Sequence, residues 1–340
     1  MSTAPRRFFT LLVTAVLLVA TFGDAARAEP TPGADEDGGQ NLTVRQALDK
    51  ATAEYNDAKG RLDKSVADQA SIGDQKAKTQ ARLTELQASA GAIANAAYRG
   101  NRVSMVNVMI GAQDPDDMLH NMVTVEYMLQ QENRQLRDVT EAQRQLEQQG
   151  KDIDAAVANQ QAQLKVLEAS KKAAEDALKK AGGGADVSGG LPSGGKVTTN
   201  NVARNSDGSY PKEGCTLDDP TTSSGCQSPR TTNMLGEARK AGFTHYTSCY
   251  RSGGGGDHPL GKACDFSANA STFVNARATG ADKTYGDNLA AWGVANQKNL
   301  GIKYVIWYKR IWQPSSGWKS YGGDGTPAGD HYNHVHISMQ

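Results

Sequence analysis

Alternating steps of four and three residues govern the N-terminal half of this chain. They pick out Val44, Leu48, Ala51, Tyr55, Ala58 and Leu62, and resume at Leu83, Leu86, Ala90, Ile93 and Ala97. A second run passes through Met118, Met122, Val125, Leu129, Leu136, Val139, Leu146, Ile153, Val157, Leu164, Leu167, Ala174 and Leu178. A hydrophobic period of 3.5 held this long specifies coiled-coil helices, because slightly under-wound helices keep such a stripe facing a partner. Polar residues occupy the same register at Ser65, Gln69, Lys76 and Thr79, and later at Glu132, Gln143, Gly150, Gln160 and Lys171. The seam is therefore soft in its middle.

Between the runs the pattern breaks at Tyr98-Arg-Gly-Asn101, and a short apolar piece, Val103 to Ile110, ends at Gly111. Asp114-Pro115-Asp116-Asp117 then reads as a helix start. It offers a capping carboxylate, proline at the first helical position and acids in the first turn. Two long helices around a short break predict an antiparallel coiled-coil hairpin over residues 42–181. The same seams would serve dimerisation between chains, and the sequence leaves both open. His120 stands alone on a helix and reads as structural.

The 340 residues allow two or three domains, and a formal charge of zero gives no electrostatic case for nucleic acid. Residues 1–28 have the layout of a secretory signal peptide: Arg6 and Arg7, an apolar stretch from Phe8 to Phe22, then Ala26-Arg27-Ala28 for cleavage. The stretch is shorter than the roughly 20 residues of a membrane span, and nothing later is apolar enough to cross a bilayer. A polar stub follows over residues 29–41. Residues 182–210 are rich in glycine and serine and predict a flexible linker. The long arm and the terminal domain are then expected to move relative to each other. Residues 211–340 suffice for one core of their own.

All four cysteines, Cys215, Cys226, Cys249 and Cys264, fall in this last domain. An even count in an exported domain predicts two disulfides, and the absence of CxxC argues against zinc–thiolate ligation. Of three pairings, Cys215–Cys226 and Cys249–Cys264 are favoured, the second tying the Arg251 strand to the one carrying Asp265. Helices are expected at 231–241 and 285–299. Strands are expected at 245–250, 262–266, 303–312 and 335–339, without a regular βαβ alternation, so the class is α+β. Trp307, Trp312, Trp318, Tyr321 and Tyr332 are divided between core and a groove.

Thr247 to Asp265 (TSCYRSGGGGDHPLGKACD) and Asp330 to Ser338 (DHYNHVHIS) hold four of the six histidines. His258 and Asp265 are separated by six residues, and His334 and His336 must share a strand face. Two imidazoles and one carboxylate with a fourth position open is the ligand count of a catalytic zinc site. YRS, HxxxxxxD and a late HxH together resemble the zinc D,D-peptidases, the fold shared by D-alanyl-D-alanine carboxypeptidases, murein endopeptidases and the Hedgehog signalling domain. The resemblance covers roughly the last 110 residues, in motifs only.

That resemblance implies Zn2+ held by His258, Asp265 and His336. It implies that His334 assists proton transfer or stabilises an oxyanion, and that Arg251 anchors a substrate carboxylate or carbonyl. Family members with ExxH have a glutamate where Asn333 stands, so the base role would pass to Asp330, His331 or His334. The segment AAYRGNRVSMVNVMIGAQDPDDML also resembles the coiled coils of bacterial cell-wall hydrolases and their activators. There the hairpin docks on partners or covers the catalytic site, implying another cell-wall or divisome protein as partner. The expectation is a secreted, cell-wall zinc metallopeptidase acting on peptidoglycan stem peptides or cross-bridges. The rival is a non-catalytic module of the same shape that binds cell wall or activates other hydrolases.

Overall fold

The computed structural model describes residues 42–99, 114–188, 192, 194–198, 200–253 and 255–340. The expected signal peptide, the polar stub and the apolar piece between the long helices lie outside the described residues.

Helix α1 (Leu42–Tyr98) and helix α2 (Pro115–Lys180) follow the two heptad runs. Asp114 caps α2 as its sequence predicts: its backbone is extended and its carboxylate accepts from the Asp117 amide at 2.8 Å. Lys179 and Lys180 fill the last turn, where positive charge suits the helix dipole. The helices run antiparallel: from residue 69 through 79 to 89 in α1, the partners fall from 160 through 149 to 135 in α2. Ser65 Oγ donates to the Ala156 carbonyl at 3.2 Å, Gln160 to Gln69 at 2.8 Å, Gln149 to Thr79 at 3.2 Å, and Gln135 to Ser89 at 3.4 Å. Two of the polar seam residues, Gln69 and Gln160, thus meet each other across the seam, and Ser65 and Thr79 find other partners in α2. Such matched polar pairs fix register at a cost in stability.

The rest of the chain forms a ribbon of β1 (Leu217–Asp218) and β2 (Cys226–Gln227), then α3 (Pro229–Lys240) and β3 (Thr247–Ser248). Next come β4 (Ala263–Ser267), α4 (Gly280–Ala295) and α5 (Gln297–Leu300). The chain closes with β5 (Ile302–Trp307), β6 (Arg310–Gln313), β7 (Gly317–Ser320) and β8 (His334–Met339). Six strands make one antiparallel sheet in the order β3-β4-β8-β5-β6-β7. Both favoured disulfides are present, Cys215–Cys226 and Cys249–Cys264.

Three sequence expectations change. The run 303–312 is two strands, folded back at Tyr308-Lys309, whose φ values are 56° and 60°. Two positive φ values make the tight turn that matches strand twist, usually signalled by Asn-Gly; Tyr-Lys carries no such signal. The strand expected at 245–250 narrows to Thr247–Ser248. The helix expected at 285–299 starts earlier, at Gly280, and breaks at Asn296.

The two sheet faces have different fates. Cys264, Phe266, Val335, Ile337, Met339, Val305 and Trp307 point into a core closed by Met234, Leu235 and Ala238 of α3 and Leu289, Ala290 and Trp292 of α4. On the opposite face Tyr304, Ile306, Ile311 and Tyr321 pack against Leu48, Ala51, Ala174, Ala177 and Leu178. The base of the hairpin is therefore the second cover of the sheet. The expected independence of arm and domain does not match this packing. An apolar sheet face must be covered, and here the cover is α1 and α2.

The glycine-rich segment is also tied down where it is described. Asn296 donates to the Lys196 carbonyl and accepts from the Thr198 amide, and the Val202 amide reaches the Asn299 carbonyl. Tyr210 N donates to Asp57 of α1 at 2.9 Å. At Gly60 the 204–210 segment crosses α1 so closely that a Cβ would lie 2.2 Å from the Gly208 carbonyl oxygen.

Candidate metal centre

His258, Asp265 and His336 arrive from three places. His258 opens a single 3-10 turn, His258–Leu260, closed by Gly261 at φ 64°. A Cβ on Gly261 would lie 2.3 Å from Cys215 Sγ, so the turn requires glycine. Asp265 and His336 are directly paired across β4 and β8. Alternation along β8 puts His334, His336 and Ser338 on the face away from the main core.

Ligand-type atoms of the three residues all lie within 4.8 Å of one another. His258 Nε2 is 3.2 Å from His336 Nδ1 and 3.1 Å from Asp265 Oδ2, and His336 Nδ1 is 2.8 Å from Asp265 Oδ1. Tetrahedral ligands at zinc bond lengths are separated by about 3.3 Å, so the donor set fits that ion. The far nitrogens are also engaged. His258 Nδ1 donates to the Cys249 carbonyl, and His336 Nε2 is hydrogen-bonded to Ser338 Oγ at 2.9 Å. Such outer bonds fix the tautomer and aim the other nitrogen inward.

All three side chains are buried. Burial pushes the Asp265 carboxyl up, but electrostatic interaction with His258 and His334 and hydrogen bonds from His258 and His336 hold it well below the usual carboxylate range. The carboxylate is thus kept ionised, as a metal ligand must be.

His334 Nε2 lies 3.6 Å from Asp265 Oδ1, and its Nδ1 is hydrogen-bonded to Asn333 Oδ1 at 2.8 Å. Asn333 also donates to the Val274 carbonyl at 2.9 Å. A cleft of about 160 Å³ opens beside Asp265 and His334, walled by Phe273, Asn275, Ala328 and Asn333. Arg251 donates to Asp265 Oδ2 at 2.9 Å, so one of its nitrogens braces the carboxylate. His331, at φ 53°, places its ring 4.6 Å from His334, tilted, and 5.8 Å from His336, edge-on. The Asp330 carboxylate turns aside, to Lys309 at 3.1 Å and the Gly325 amide at 3.1 Å.

Sequence reasoning missed five contributors. Ser338 was legible by the period of two that pairs His334 with His336. Tyr304 stacks on His336 at 5.7 Å, nearly parallel. Lys303, in a β-bulge of β5, reaches Asp257 at 2.5 Å and Asp49 of α1 at 3.5 Å. Asp257 immediately precedes His258, so this buried charge cluster joins the hairpin to the site. Nothing in the spacing of Asp49, Asp257 and Lys303 announces their meeting.

Residues 223–332 match a family model described as VldE, C-terminal domain. The match covers about a third of the chain and takes in Arg251, His258, Asp265, Asp330 and His331. It stops before His334 and His336. No curated protein and no solved structure matches the chain. Among the described residues no helix is long and apolar enough to cross a membrane.

Proposed function

We propose that the chain is an exported zinc peptidase that hydrolyses peptide bonds in peptidoglycan stem peptides or cross-bridges. The observation that carries this reading is the convergence of His258, Asp265 and His336 beside a cleft that reaches His334. Support comes also from two disulfides, which suit an oxidising compartment, and from the motifs shared with zinc D,D-peptidases. Bound by the three ligands, the ion would supply Lewis acidity at a scissile carbonyl.

The chain's own residues divide the remaining work. His334, held at Nδ1 by Asn333, presents its other nitrogen on the Asp265 side, where it can pass a proton to the leaving amine. His331 backs it by ring packing. Arg251 holds Asp265 in place, and its partly exposed guanidinium is suited to meet a substrate oxygen. Asn333 is a scaffold: both ends of its amide are engaged, so it does not replace a glutamate base.

Asn333 also favours a second reading, a module that binds cell-wall peptides or activates other hydrolases without cutting. One experiment separates the two. The full chain without its expected signal peptide is purified as wild type, His258→Ala and His336→Ala. Zinc is measured by elemental analysis, and peptidoglycan fragments are followed by mass spectrometry. The peptidase reading expects about one zinc per chain and new free amines, both lost in the variants. Zinc without cleavage selects the binding module, and a folded wild type without zinc removes the peptidase reading and leaves that module.

A further inference from the structure

A second cleft, of about 530 Å³, lies on the other side of His331 from the metal-ligand cluster. His331 is the partition: its ring meets Tyr321 of this cleft edge-on at 5.1 Å and His334 of the site at 4.6 Å. The lining combines four cationic side chains, Arg277, Lys283, Lys309 and Arg310, with Tyr308 and Tyr332. In a chain of zero net charge this is a local excess. Two carboxylates offset part of it: Asp287 holds Lys283 at 2.7 Å and the Trp307 indole N–H at 2.9 Å, and Asp330 holds Lys309 at 3.1 Å.

The rings form a corner that holds Arg277, whose Nε donates to the Tyr308 hydroxyl at 2.9 Å. Tyr308 and Tyr332 meet edge-to-face at 4.9 Å, and the Arg277 guanidinium lies 4.6 Å and 4.2 Å from their centroids. The turn that carries Tyr308 and Lys309 is a second, independent observation. Both residues hold positive φ, a conformation that costs a side-chain-bearing residue free energy that glycine would avoid. The turn persists because its amides are stapled to residues 330 and 331: Tyr308 N donates to the His331 carbonyl and Lys309 N to the Asp330 carbonyl. A hairpin that needed only to reverse direction would use Asn-Gly. This one places a tyrosine and a lysine at the cleft instead.

We infer that this cleft binds an anionic saccharide, gripping its oxyanion with Arg277, Lys309 and Arg310 and its ring against Tyr308 and Tyr332. The volume suits a sugar unit rather than a bare anion, and guanidinium forks match carboxylate or phosphate alike. The inference needs neither a metal nor hydrolysis.

The test is calorimetric titration of the full chain with N-acetylmuramic acid, N-acetylglucosamine 6-phosphate, neutral N-acetylglucosamine and inorganic phosphate. At least one charged sugar is expected to bind about tenfold or more tighter than the neutral one, and to weaken as salt is raised from low to high. Which charged sugar wins identifies the anion as carboxylate or phosphate. Arg277→Gln, at an exposed position, should weaken binding about tenfold, and Arg310→Gln provides a second variant, with circular dichroism confirming both folded. Equal binding of the neutral sugar, no binding of either charged sugar, or unchanged affinity in both variants overturns the inference. Inorganic phosphate binding as tightly as the sugar phosphate overturns the saccharide assignment.

Discussion

Replacing Lys303 by methionine tests how the hairpin and the site are joined. Lys303 is buried, with Asp257 2.5 Å and Asp49 3.5 Å from its ammonium. Burial pulls its pKa down, but the Asp257 and Asp49 carboxylates outweigh this and raise it. Removing the cation leaves two buried carboxylates facing each other, with Arg45 as the nearby charge that still lowers both. Breaking a buried pair costs about 3–5 kcal/mol, and Arg45 places the expected loss at the lower end, about 3 kcal/mol. With a urea slope of about 3 kcal/mol/M the midpoint falls by about 1 M. Adding Asp49→Asn removes one stranded charge and should recover about 1–2 kcal/mol.

The pH dependence has a fixed sign. In the wild type, burial raises the Asp49 carboxyl, whereas Lys303 overcomes the burial of Asp257 and lowers it. Asp257 therefore contributes stability that is present above the unfolded carboxylate value of about 3.9 and lost as pH falls through its lower folded value. Lys303→Met raises both carboxyls. A raised carboxyl penalises the fold above its folded pKa and not below about 3.9, so the deficit of the variant should shrink as pH is lowered toward 4. The assay is urea unfolding followed by tryptophan fluorescence at pH 7.5 and pH 4.5. A midpoint within about 0.3 M of wild type at pH 7.5, or a deficit that grows on acidification, would refute the reasoning.

Further outcomes follow from the same packing. Ser338→Ala removes the hydrogen bond on the outer nitrogen of His336 and should weaken zinc about 10–100-fold, read by competition with a chelator. Leu48→Ala, in the seat between hairpin and sheet, should cost about 2–4 kcal/mol in the urea transition, because the cavity abuts Tyr304 and Ile306. Opening Cys249–Cys264 by a double serine variant should cost about 3 kcal/mol for a link spanning 15 residues, and should lower zinc affinity because the Cys249 carbonyl orients His258. Residues 211–340 expressed alone should associate or bind a hydrophobic dye, since deleting α1 and α2 uncovers Tyr304, Ile306, Ile311 and Tyr321. A monomeric, dye-silent fragment would show that the hairpin is dispensable as a cover.

The sequence by itself determined the local features of this protein. A 3.5-residue period specifies two helices whatever they pack on, and Asp114-Pro115 specifies where the second begins. The period of two along β8 puts His334 and His336 on one face, and an even cysteine count in one domain pointed to two disulfides. What only tertiary structure decided are meetings between distant residues with no periodic or spacing signal. Lys303 finds Asp49 because a bulge turns it toward the hairpin, and the Tyr308-Lys309 reversal is held by residues 330 and 331 rather than by turn-forming residues. The glycine-rich segment has the composition of a free linker, yet its backbone is bound by the side chains of Asn296 and Asn299. Composition states what a segment can do unaided; long-range hydrogen bonds and the need to cover an apolar sheet face decide what it does in the fold.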